Sequence, residues 1–201
     1  MFDTAEEMKT LLKDARCHPL SWYRRGRQLS VRNKMQKRTY RYTLTARPGK
    51  DFDRRFRPEL TPAQMLRRGV FEGKYLNDCM FEFPREWYAS ALRRGKLSPE
   101  GADPSVNEFG IKSRKSLRYW REKKWIPIVP GDRDRRGWFQ WYCRYWMGRR
   151  QPAVDQKQIS RWRSFRRHRA QVLKNCGQTK NCRKRQRQAL LQWAYNPYPR
   201  S

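Results

Sequence analysis

The sequence predicts a mainly α protein, a compact helical domain carrying an extended basic N-terminal arm. Three observations lead there. Apolar residues recur at helical spacing, bounded by start and stop signals, through the middle and C-terminal thirds of the chain. Residues 16–58 hold 14 basic and two acidic residues with few aliphatics, a composition that buries too little surface to order on its own. Residues 131–195 alternate aromatic and basic side chains almost throughout, so helices there can turn one face to a core and the other to solvent. Two units follow: residues 1–58, a short helix and a basic, partly extended arm, and residues 59–201, a single helical domain whose C-terminal half is basic and aromatic-rich.

Taken in order, Met8, Leu11 and Leu12 mark a short amphipathic helix near the N-terminus. In the arm, residues 39–45 alternate like a strand, but nothing nearby signals a partner. Thr61, Pro62 and Gln64 read as a capping box with proline in the first turn, and Gly69 ends that helix. Pro84 opens another helix, with Trp87, Ala91 and Leu92 on one face and Gly95 as its stop. Residues 111–130 resemble, over a short span, a winged helix-turn-helix of the MerR and excisionase type, through Ser113, Leu117, Tyr119, Trp120, Trp125, Ile126 and Pro127. The helix such a fold needs just upstream is poorly matched by residues 102–110, which contain Pro104. Trp138, Phe139, Trp141, Tyr142, Tyr145 and Trp146 surround the axis of any helix drawn through them, so that segment should be buried. Ile159, Trp162, Phe165 and Val172 then stripe one long helix over residues 154–173, and Leu190, Leu191 and Trp193 a last one over residues 183–195.

Charge indicates the partner. The 49 Lys and Arg against 18 Asp and Glu leave a net charge of +31, far beyond what solubility asks for, so a polyanion is the expected counterweight. The 14% aromatic content favours nucleic acid, since flat rings can stack on bases while cations neutralise phosphates. Residues 59–110 are near neutral, with eight acids and seven bases, whereas residues 111–201 hold 26 bases and four acids. The candidate phosphate contacts are therefore Arg149, Arg150, Arg161, Arg163, Arg166, Arg167, Arg169, Lys184, Arg185 and Arg187. Arg24, Arg25, Lys37 and Arg38 form a second strap in the arm. Trp120 and Trp125 stand among Arg118, Arg121, Lys123 and Lys124, where an exposed ring could stack on a base.

Other functions have weaker support. Cys79, Cys143, His168, Cys176 and Cys182 could supply tetrahedral zinc, but no C-x-x-C is present. A Cys176–Cys182 disulfide or separate thiols are equally open, and no other cofactor is expected. No Walker loop, dinucleotide glycine fingerprint, zinc-protease motif or nucleophile elbow appears. An enzyme acting on nucleic acid would have to use acids such as Asp78, Glu82 or Asp132, which read more simply as partners for arginine. A structural role in a virion or ribonucleoprotein, the arm threading into a neighbouring protein, is the remaining alternative. No apolar run is long enough to span a bilayer and the N-terminus lacks a secretory apolar centre, so an intracellular or packaged location is expected.

Four long segments, TPAQMLRRGVFEGKYLNDCMFEFPREWY, RGWFQWYCRYWMGRR, QISRWRSFRRHRAQVLKNC and CRKRQRQALLQWAY, carry a further signal. Through them the chain resembles a family of small basic Trp/Arg-rich proteins found in large DNA viruses, bacteria, fungi and plants. The likeness covers residues 61–195. Family members lack the arm of residues 16–58, and several have DPRGW where this chain has DRRGW at residues 134–138. The resemblance implies that Cys79, Cys143, His168, Cys176 and Cys182 belong to a shared core. It implies no activity and carries no catalytic residue across.

Overall fold

A computed structural model describes residues 4–33, 35–36, 38–113, 116–122, 133–176 and 179–198. Among them are eight α-helices and one two-stranded sheet, so the protein is mainly α. Helix α1 (Ala5–Leu11) starts at a capping box in which the Thr4 hydroxyl accepts from the Glu7 amide and the Glu7 carboxylate accepts in return. Strands β1 (Gln28–Val31) and β2 (Tyr40–Thr43) pair antiparallel. Helix α2 (Pro62–Arg68) carries the expected capping box between Thr61 and Gln64 and ends at Gly69, whose φ is +94°. A Cβ at Gly69 would lie 2.0 Å from the Val106 carbonyl oxygen, so only glycine fits. Helix α3 (Arg85–Arg93) packs on α2.

The centre of the fold is α5 (Trp138–Met147), which follows the short α4 (Leu117–Glu122). Every residue of α5 except Trp146 is buried, as the all-round apolar pattern requires. It touches α2 on one side and α6 (Pro152–Ser164) on the other. Phe56 lies edge-on to Trp141, Tyr142, Tyr145 and Trp162, with centroids 4.9 to 5.5 Å away, the arrangement that ring quadrupoles favour. Trp162 stacks on Tyr195, and Trp138 meets Trp193. Where one long helix was expected, the chain bends after Ser164 and continues as α7 (Arg166–Cys176). At the bend Phe165 turns inward and stacks 4.3 Å from Trp193, while i→i+3 bonds from the Phe165 and His168 amides replace the regular ladder. The last helix, α8 (Lys184–Gln192), packs against α7.

The arm is folded, which corrects the expectation for residues 1–58. Cys17, Tyr23, Leu29, Val31, Tyr42, Leu44 and Phe56 belong to the same buried cluster as α5 and α8. Strand β2 does have a partner, β1, joined to it by the eight residues 32–39, a connection without the two-residue turn that marks a tight hairpin. Backbone bonds then tie the segment to the end of α5: the Thr45 and Ala46 amides donate to the Gly148 carbonyl, and the Gly49 amide to that of Trp146. Gly148 has φ +114°, and a Cβ there would lie 2.1 Å from the Ala46 carbonyl oxygen. Gly148→Ala combines a strained backbone with that clash, each worth about 1–3 kcal/mol. We expect it to lower the melting temperature and to open residues 16–58 to limited proteolysis, whereas the wild-type segment resists.

A polar cluster is sealed beneath the hairpin. Arg144, fully buried, donates to both oxygens of Glu82 and to Asp134 at 2.9 Å, and Arg149 donates to the other Asp134 oxygen. Two carboxylates face two guanidiniums, and Tyr42 donates to Glu82 at 3.1 Å. Burial alone would raise the Asp134 carboxyl, but Arg149 and Arg144 together hold it below its ordinary value.

Candidate nucleic-acid interface

Residues 151–198 hold twelve Lys and Arg but one acid, Asp155. That acid is buried and occupied: its carboxylate accepts from the Trp141 indole at 2.8 Å and from the Gln151 amide at 2.7 Å. The outer surface of α6, α7 and α8 is consequently cationic without an intervening carboxylate from the same stretch. Arg163, Arg166, Arg167, Lys184 and Arg185 are exposed there, as the phosphate-contact reading needs. Arg161 is half-buried, donating to Gln158 with its guanidinium near the Trp193 ring. Arg169 lies 3.5 Å from Glu59, both about one-third exposed, so its charge is shared.

Three of the proposed phosphate contacts turn inward. Arg149 is 1% exposed and paired with Asp134. Arg187 is 2% exposed, and its guanidinium donates to the carbonyls of Cys182, Thr179 and Pro197, closing the turn before α8 onto the chain that follows it. Arg150 is half-buried across the Tyr145 ring and donates to the carbonyls of Tyr145, Arg149, Lys50 and Asp51. Arginine presents five donors in one plane, which suits it to gathering carbonyls inside a fold as well as phosphates outside. These three therefore brace the structure, Arg149 and Arg187 out of solvent and Arg150 partly so.

In the N-terminal segment Arg24, Arg25 and Arg38 are exposed around the hairpin, while Lys37 lies outside the described residues. Trp120 is half-buried, edge-on to the exposed Tyr119 in α4. Trp125, Ile126 and Pro127, three of the seven residues of the winged-helix likeness, lie outside the described residues, and the segment before α4 is a 3-10 turn, Pro104–Val106, where that fold would need a helix.

The structure also exposes cations that the sequence reading passed over: Lys157, Lys174, Lys180 and Arg183 on the same helical surface, and Arg54, Arg55 and Arg57 on the chain beside it. Arg55 meets Lys157, Arg161 and Arg163 around a groove of about 420 Å³ floored by Ala153 and Ile159. Absence of acids over a long stretch was the signal that would have found them; helical periodicity was not.

Cys176 and Cys182 are joined as a disulfide across the α7 to α8 connection. Cys79 and Cys143 are free and buried, and burial pushes both thiols well up, against the thiolate a metal needs. Burial first, then Arg167, holds His168 below the usual histidine range. Among the described residues no three His, Cys, Asp or Glu are grouped to hold a metal ion. The acids considered for catalysis are engaged as well: Asp78 with Arg136, Glu82 with Arg144 and Tyr42, while Asp132 lies outside the described residues. No helix among the described residues is long and apolar enough to cross a membrane.

Fold and surface together define a helical protein built on an aromatic core, with a cationic face to which residues 151–198 bring no exposed carboxylate. No family model, curated protein or solved structure matches this chain.

Proposed function

We propose that this protein binds nucleic acid with little sequence preference, through phosphate contacts from the outer faces of α6, α7 and α8. One observation carries the proposal: over residues 151–198 the lone acid is buried and bonded to Trp141 and Gln151, leaving exposed cations with no carboxylate of that stretch to neutralise them. A surface of that kind gains affinity by releasing counterions from a polyanion, without reading bases. The membership suggested by the four long segments is part of the same proposal. Those segments supply α2, α5, α7, α8 and the second half of α6, so a chain sharing them would share much of the aromatic core and the faces it holds outward.

Arg163, Arg167 and Arg185 are exposed, so replacing all three by alanine should leave melting unchanged. Oligonucleotide affinity should fall at least about tenfold at low salt, and the log–log salt slope should become shallower by about two to three units, near one for each lost phosphate contact. An unaltered slope would place the contact elsewhere.

The assembly alternative relied on a free arm threading into a neighbour, and the packed hairpin takes that support away. The enzyme alternative relied on available carboxylates, and Asp78 and Glu82 are held by arginines.

A further inference from the structure

We infer that the outward face of the β1–β2 hairpin lies in the major groove of duplex DNA. This rests on the proposed nucleic-acid function and goes beyond it, by choosing DNA over RNA, a duplex over a single strand, and a second contact surface apart from the helices.

The hairpin has two unlike faces. Leu29, Val31 and Tyr42 are buried against the core, while Gln28, Ser30, Arg41 and Thr43 are exposed. The register sets Gln28 opposite Thr43 and Ser30 opposite Arg41, so the four side chains form a two-by-two array. All four can hydrogen-bond. Their types match what base edges present in the major groove: Arg to guanine O6 and N7, Gln to adenine N6 and N7, Ser and Thr to either.

Charge complementarity names the occupant. From residue 15 to residue 50 the sequence carries 11 Lys and Arg and no Asp or Glu. Arg24 and Arg25 are exposed at the base of the hairpin, and Arg32 and Arg38 near its tip. The tip is itself shaped by Asn33, whose side-chain oxygen accepts from the amides of Met35 and Gln36. Cations at both ends of a neutral-to-basic array suit the phosphate ridges on either side of a groove.

Dimensions select the groove. Outward residues two apart on a strand are about 7 Å apart, and paired strands about 4.8 Å, so the array covers about two base pairs. The B-form major groove, about 12 Å wide, admits a two-stranded ribbon, whereas the minor groove, about 6 Å wide, does not. In A-form RNA the major groove is too narrow and deep to enter. Contact with only two base pairs is also compatible with little sequence preference.

The test is fluorescence anisotropy with a labelled duplex DNA, the duplex RNA of the same sequence, and two competitors, methyl green for the major groove and distamycin for the minor. Methyl green should displace the protein and distamycin should not. The double variant Gln28→Ala with Arg41→Ala, both exposed positions, should melt like the wild type, lose about tenfold or more in affinity for duplex DNA and bind duplex RNA unchanged. Displacement by distamycin alone, equal binding of DNA and RNA by the wild type, or an unaffected double variant would each overturn the inference while leaving salt-dependent binding by the helices intact. A wild type that binds no nucleic acid removes both.

Discussion

Arg144→Met is expected to destabilise the protein by about 3–5 kcal/mol, the cost of removing one partner from a buried ion cluster. The arginine is fully buried and serves Glu82 and Asp134 at once. Without it Glu82 keeps only the Tyr42 hydroxyl as a described partner in that cluster, so a carboxylate sits nearly uncompensated in an apolar interior. Adding Glu82→Gln should restore part of the loss, because an amide tolerates burial better than an unpaired charge. Urea denaturation of the single and double variants measures both effects, and an Arg144→Met protein within about 1 kcal/mol of wild type would show that the cluster is not holding the fold. The same cluster sets an acid limit. Asp134 has a lowered folded pKa, so its stabilisation is fully present above the unfolded value near 4 and is lost as pH falls through the folded value. The melting temperature should therefore drop steeply at low pH.

Trp141→Ala should cost a similar amount, about 3–5 kcal/mol. Its indole is fully buried among Phe56, Trp138 and Tyr145, and its N–H satisfies the buried Asp155. Truncation opens a cavity and leaves Asp155 one donor short, two penalties at one site. Oligonucleotide affinity, measured well below the melting temperature, should stay close to wild type, because Trp141 is far from solvent. Weakened binding with unchanged melting would mean that the aromatic block is a recognition surface and not a core.

Much of the helical framework was legible because its signals are local. The capping box at Thr61 and Gln64, the stop at Gly69 and the all-round apolar pattern of α5 each act within a few residues, and each is present as expected. The bend at Phe165 was hidden, since a stacking partner at Trp193 decides it and the apolar period runs through the break. The hairpin was hidden for the same reason. Its strands are separated by a basic tip, and the chain leaving them is tied to the Gly148 corner, 103 residues on from Thr45.

Arginine caused the errors in the site. A composition reading places every arginine in solvent, whereas Arg144, Arg149 and Arg187 are interior because specific oxygens await them: Glu82, Asp134 and three carbonyls near α8. Arg163, Arg167, Lys184 and Arg185 are exposed, and Arg166, also exposed, has the buried Tyr195 hydroxyl as a partner. The same accounting explains why the surface survives the loss of three expected contacts: Lys157, Lys174, Lys180 and Arg183 occupy it as well.

The most direct measurement is the dissociation constant of the wild-type protein for an unspecific oligonucleotide across a range of salt. If six to ten phosphates are neutralised, affinity should fall by about 10³ to 10⁵ between 50 and 200 mM salt, linearly on logarithmic axes. An affinity that does not change with salt, or no binding even at low salt, would contradict the claim that the cationic face of α6, α7 and α8 meets nucleic acid.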